Sequence, residues 1–152
     1  MRLLEKAIGN LSQKIAFSTK LNKEISKKDV SWHIDHSLIV IINVCDFLQK
    51  SNPNNYKPTF NLIKSGVLLT GVIPRGKGRI PKAIINEEKI TLEQLNEAIQ
   101  KAIDRINNLK DLPKNSNFKH PYFGFMNLKT SIKFLRIHTN HHLKIINDIL
   151  SE

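Results

Sequence analysis

Apolar residues recur along this chain at spacings of three and four over four long stretches, the period of an amphipathic helix, and no stretch alternates long enough to mark a strand. The first stretch, from about residue 3 to residue 20, carries Leu4, Ala7, Ile8, Leu11 and Ile15 on one stripe. The second starts near Ser31, with Asp29 or Ser31 as its N-cap, and runs to about Lys50. The third opens at Thr91, whose Thr-Leu-Glu-Gln reads as a capping box closed by Gln94. It continues through Leu92, Leu95, Ala98, Ile99, Ala102, Ile103 and Ile106. The fourth covers about residues 127–150. A shorter helix is expected from Pro58 to about Thr70, because proline is tolerated in a first helical turn. A turn at residues 51–55 and two loops, at residues 71–89 and 110–126, separate these elements. There is no internal repeat and no low-complexity tract. The pattern predicts an all-α fold, a four-helix bundle with one extra short helix and long connecting loops, in a single domain over residues 1–152.

Composition narrows the class. The chain is 40% hydrophobic and 24% charged, too apolar for intrinsic disorder. Its longest apolar run, residues 38–42, is far below the ~20 residues that span a bilayer. Charges at Arg2, Glu5 and Lys6 fall where an export signal needs a continuous apolar stretch, so the expected location is cytoplasmic with no membrane partner. One cysteine, Cys45, excludes an intramolecular disulfide and a multi-cysteine zinc site. Lys and Arg number 24 against 13 Asp and Glu, a net charge of +11, which ordinarily suggests nucleic acid. The basic residues, however, are 19 lysines and 5 arginines spread along the whole chain. Together with abundant Ile and Asn, this is the default of AT-rich codons. Arginine, the residue suited to bidentate phosphate and base contacts, is scarce, and the charge therefore argues against a nucleic-acid role.

The histidines change the picture most. Five of the 6 fall inside two predicted helices: His33 and His36 on the second, His138, His141 and His142 on the fourth. At about 100° per residue, His138 and His142 lie about 40° apart and one turn above each other, among Leu128, Leu135, Ile146 and Ile149. Lys129, Lys133, Arg136, Asn140, Lys144 and Asn147 take the opposite side, and His141 sits at the edge of the apolar face. Two inward imidazoles at i and i+4 can share one metal ion, and burying both is costly unless something bridges them. The alternative is a hydrogen-bonded polar cluster without metal. A third ligand must come from the second helix, where periodicity alone does not choose between His33 and His36. Three histidines on two facing helices would leave an open coordination position, the arrangement of a catalytic rather than a structural metal.

Trp32-His33-Ile34-Asp35-His36-Ser37-Leu38, then His120-Pro-Tyr-Phe-Gly124, then His138-Thr-Asn-His141-His142-Leu143 together resemble the DinB-like superfamily. The likeness is nearest to a branch of it catalogued as a domain of unknown function, whose fourth helix ends in His-x-x-His-His-Leu after a Pro-x-Phe-Gly loop. What the resemblance implies is a four-helix bundle with one divalent metal ion on three histidines, here His36, His138 and His142. The ion would be zinc, nickel, iron or manganese. His33 and His141 are then alternate ligands or partners of the ligands, and Ser37 stands where leucine is usual. The superfamily also implies a small-molecule substrate and pairing into homodimers. Some members are similar to thiol-dependent S-transferases that use a low-molecular-weight thiol, so a metal-dependent transferase is the expected activity. A metal-dependent hydrolase is the second possibility. A non-enzymatic basic protein that contacts nucleic acid or an acidic partner is the third.

Other signals are weaker. Gly71-Val-Ile-Pro-Arg-Gly76-Lys77-Gly78 nearly spells a phosphate-binding loop, but Gly78 stands where the Mg²⁺-holding hydroxyl is needed, and a helix instead of a strand precedes it. Arg75, Lys77 and Arg79 remain candidates for docking an anionic cosubstrate. His120, Tyr122 and Phe123 either line the mouth of a metal pocket or cap the helices. Asp35 is expected on the solvated side of its helix, and Cys45 is expected in packing, on the side away from His36.

Overall fold

A computed structural model describes residues 1–76 and 90–151. It is mostly helical: α1 (Arg2–Ser12), α2 (Val30–Lys50), α3 (Leu62–Thr70), α4 (Leu92–Asn107) and α5 (Leu128–Leu150), with a two-stranded hairpin, β1 (Asn117–His120) and β2 (Gly124–Asn127), leading into α5. The helix starts follow local chemistry. Asp29 caps α2 by accepting the Trp32 amide at 2.9 Å and the Ser31 hydroxyl at 2.8 Å. Thr91 and Gln94 close their capping box reciprocally, and Asn61 and Asn127 cap α3 and α5. Each such cap contributes about 1 kcal/mol. α3 ends where Gly71 takes a left-handed φ of 69°.

α2 is the central element. It packs on both α4 and α5, and α1 also packs on both. Val30, Ile34, Leu38, Ile41, Cys45 and Leu48 are buried along it and meet Leu4, Ile8 and Leu11 of α1, Leu95 and Ile106 of α4, and Leu135 and Ile146 of α5 in one apolar core. Because neighbours enclose α2 on most sides, its polar residues are enclosed too. Ser31, His33, Asp35, His36 and Ser37 are all buried. This corrects the placement of Asp35 on a solvated face: at 6% exposure it lies inside. Ser37 satisfies its hydroxyl by donating to the His33 carbonyl one turn back.

Three boundaries differ from the periodic reading. The first helix stops at Ser12, and a separate 3₁₀ turn over Ile15–Phe17 drops Ile15 into the core while the chain bends toward α2. α3 starts at Leu62 instead of Pro58, because residues 59–61 brace the hairpin. Thr59 Oγ1 accepts the Phe125 amide, and the Asn61 side-chain amide donates to the Tyr122 carbonyl. The hairpin itself was not expected. Its four-residue strands, registered Asn117 to Asn127 and His120 to Gly124, are too short to show alternation. α3 buries only Val67 and leaves Leu62, Ile63 and Leu69 exposed, as is Phe60 just before it. Among the described residues no helix is long and apolar enough to cross a membrane.

Gly124 turns the hairpin with φ of 68°, and a Cβ there would stand 2.5 Å from Thr59 Oγ1. Gly124→Ala therefore combines backbone strain with displacement of Thr59 from the Phe125 amide. We expect it to lower stability by about 1–3 kcal/mol. Chemical denaturation checks this, and an unchanged midpoint would show that the turn relaxes freely.

Candidate metal centre

The second and last long helices bring their histidines face to face. Ring nitrogens of His36, His138 and His142 all lie within 4.8 Å of one another. Ring centroids are 5.2 Å apart for His36 and His138, 4.9 Å for His36 and His142, and 4.7 Å for His138 and His142. The last pair meets because i and i+4 share a helical face. Nitrogens that ligate one ion at ~2.1 Å in a tetrahedron stand about 3.4 Å apart, so closing these rings onto an ion asks for only a modest inward shift. His33 is not in this group. Its Nδ1 lies 3.0 Å from His142 Nδ1, and its Nε2 lies 2.9 Å from Ser26 Oγ. The two histidines of α2 thus separate by geometry: His36 faces the pair on α5, and His33 braces one member of it.

Electrostatics keeps His33, His138 and His142 neutral. Burial, and then the neighbouring imidazoles, hold His138 and His142 well below the ordinary histidine range. Burial, followed by His36 and His141, lowers His33 to about 4, with Asp29 opposing. A neutral imidazole offers a lone pair, which is the form that binds a metal. The donor set also fits an ion on a second ground. His138 Nδ1 is buried with no hydrogen-bond partner among the described residues, and a polar atom left so costs about 1–3 kcal/mol. A cation in the cluster is one way to satisfy a ring in that position.

The remaining candidates fall around this core in different ways. His141 is half-buried at the rim, 5.3 Å from His142 between ring centroids, and hydrogen-bonds the Ile73 backbone. Arg75 pairs with Asp148 of α5 and lies near enough to His141 and His33 to depress both, which places Arg75 against α5 beside the cluster. Lys77 and Arg79 lie outside the described residues. His120 joins the hairpin turn: its Nδ1 accepts the amides of Tyr122 at 3.1 Å and Phe123 at 3.2 Å. Its ring stacks on Phe123 and meets the edge of Phe134, which in turn packs 5.8 Å from His138. Phe123 is buried and Tyr122 is half exposed. Cys45 is fully buried, and burial pushes its thiol up to about 12, an inert packing residue. A surface groove of about 340 Å³ between the start of α1 and Lys129, Lys133 and Arg136 of α5 shares no lining residue with the cluster.

Two participants escaped the sequence reading. Trp32 stacks on His36 with ring centroids 4.9 Å apart and planes 4° from parallel, and it meets His33 edge-on at 5.1 Å. Its place four residues before His36 was a readable signal, since i and i+4 share a face. Ser26 sits in the irregular segment before α2, where no periodicity marks a partner for His33. No family model, curated protein or solved structure matches the chain.

Acid should expose the neutrality of these rings. His33 and His120 are both lowered from 6.5 to about 4, so between those values the unfolded chain binds more protons than the folded one. Stability is therefore full above pH 6.5 and is lost as the pH falls toward 4. Denaturation midpoints of the metal-free protein should be flat above pH 7 and decline from 6.5 downward, before most carboxylates titrate. A flat profile between pH 6.5 and 5 would contradict the neutral, buried assignment.

Proposed function

We propose that this chain is a DinB-like four-helix-bundle metalloprotein that holds one divalent ion on His36, His138 and His142, and that it is a metal-dependent enzyme of the thiol-dependent transferase type acting on a small molecule. The observation that carries the reading is the convergence of three imidazoles from two helices, His36 and His142 buried and His138 half-buried, with no carboxylate or cysteine among them in the described residues. Imidazole donors suit zinc, nickel and iron. An ion held there would lower the pKa of a coordinated water or thiol, making hydroxide or thiolate available at neutral pH. The chain's own contribution is to hold the donors. α2 and α5 fix their relative height, Trp32 walls off one face of His36, and Phe134 backs His138. The low-dielectric surroundings keep His138 and His142 unprotonated.

A metal-dependent hydrolase is the second reading, and one observation favours it. Arg75, the described member of the cationic trio expected to grip a cosubstrate carboxylate, already has the carboxylate of Asp148. That pairing weakens the case for a charged thiol and leaves water as the simpler fourth ligand.

Elemental analysis of protein purified without a histidine tag tests the metal. We expect about one equivalent of a divalent ion. His138→Ala and His142→Ala should abolish stoichiometric binding, whereas His141→Ala should retain it. The only tryptophan stacks on His36, so titration with Co²⁺ or Ni²⁺ should quench its fluorescence in wild type and not in His142→Ala. Wild type that takes up no ion, or equal losses at His141 and His142, would refute the ligand assignment.

A further inference from the structure

A line of hydrogen bonds leads outward from the histidine cluster. His142 Nδ1 meets His33 Nδ1 at 3.0 Å, His33 Nε2 meets Ser26 Oγ at 2.9 Å, and Ser26 Oγ also accepts the Lys28 amide at 3.0 Å. Between two neutral rings that share one hydrogen bond, one nitrogen must donate and the other accept, so the line has two polarities. In the first, the Ser26 hydroxyl donates to His33 Nε2 and His33 Nδ1–H donates to His142 Nδ1. That leaves His142 protonated at Nε2 and unable to offer this nitrogen to an ion. In the second, His142 Nδ1–H donates to His33 Nδ1 and His33 Nε2–H donates to Ser26 Oγ. His142 then presents the bare Nε2 lone pair.

We infer that His33 is a positioning residue that holds His142 as its Nδ1–H tautomer and so selects Nε2 of His142 as the atom that binds the ion, with Ser26 fixing His33 in turn. This rests on the metal reading above and names a role for a histidine that the ligand set does not use. Both His33 and His142 are buried, at 4% and 7% exposure, so no bulk water competes for the shared bond. The serine at the outer end suits the role because a hydroxyl can accept from His33 while also accepting the Lys28 amide, its own proton turning elsewhere. Trp32, edge-on to His33, keeps that ring from swinging away. A ligand ring anchored through its second nitrogen is both oriented and made more basic.

The test uses the full chain. In the ¹⁵N spectrum of Zn²⁺-loaded wild type, His142 should be ligated through Nε2 with its proton on Nδ1, and His33 should carry its proton on Nε2. His33→Phe keeps a ring and removes the acceptor, so it should weaken Co²⁺ binding about 10–100-fold in chelator competition. His33→Asn places an acceptor oxygen where Nδ1 stood and should recover most of that loss. Ligation of His142 through Nδ1, or an unchanged affinity in His33→Phe, would overturn the inference while leaving the metal reading intact. If wild type takes up neither ion, both readings fall together. Should His33→Phe not fold, the wild-type tautomers still decide.

Discussion

Histidines brought together in a dry seam between two helices can coexist only without charge. A protonated imidazole loses its hydration on entering such a site, and each additional ring nearby raises the cost through like-charge repulsion. His33, His138 and His142 are all driven toward neutrality by this effect. Neutrality leaves every ring with one bare nitrogen and one N–H, and each must find a partner inside the protein. The His142–His33–Ser26 connections answer that requirement at one side of the cluster. At the other side His138 Nδ1 has no such answer among the described residues. The seam is therefore polar by content, neutral by necessity and incomplete in its bonding, a combination that apolar packing alone would not produce.

The architecture around the seam follows from having α2 in the middle. A helix that packs on α4 and α5 has little surface left for solvent, so its polar residues are enclosed with its apolar ones. Leu38, Ile41 and Leu48 supply the apolar burial that offsets the cost of enclosing Asp35, Ser37 and two histidines. The aromatic residues extend the enclosure. Trp32 covers His36 from within α2, and the hairpin carries Phe123 and His120 against Phe134, which borders His138. Through Phe134, a short β-hairpin at the entry to α5 is in contact with the histidine cluster one helix turn further on.

Much of this was legible in the sequence, and the rest fails for identifiable reasons. The stripes of α2, α4 and α5 and the Thr91–Gln94 capping box follow directly from spacing, as does the inward direction of His138 and His142. Spacing could not end α1 at Ser12, because Ile15 continues the apolar period while belonging to a separate turn. Nor could it show the hairpin, where four residues per strand give alternation no room and the stabilising contacts come from Thr59 and Asn61, far away in sequence. The choice between His33 and His36 depended on how α2 is rotated against α5. A helical wheel lacks that quantity, since both residues lie on its broad inward face. Asp35 was misplaced for the same reason in reverse: a wheel assumes one wet side, and α2 hardly has one.

The two halves of the cluster are far apart along the chain, with His33 and His142 separated by 109 positions. An ion shared by α2 and α5 would act topologically as a reversible cross-link, closing a ring that contains α3, α4 and the hairpin. Closing so long a loop costs the unfolded chain entropy in proportion to the logarithm of its length, so the link restrains the unfolded state much as a long-range disulfide would. It would do so in a chain whose single cysteine cannot form such a bridge within itself. A single backbone cut inside the ring would then leave two fragments joined at the histidines as well as through the shared apolar core, and stripping the ion with a chelator would leave only the packing to hold them.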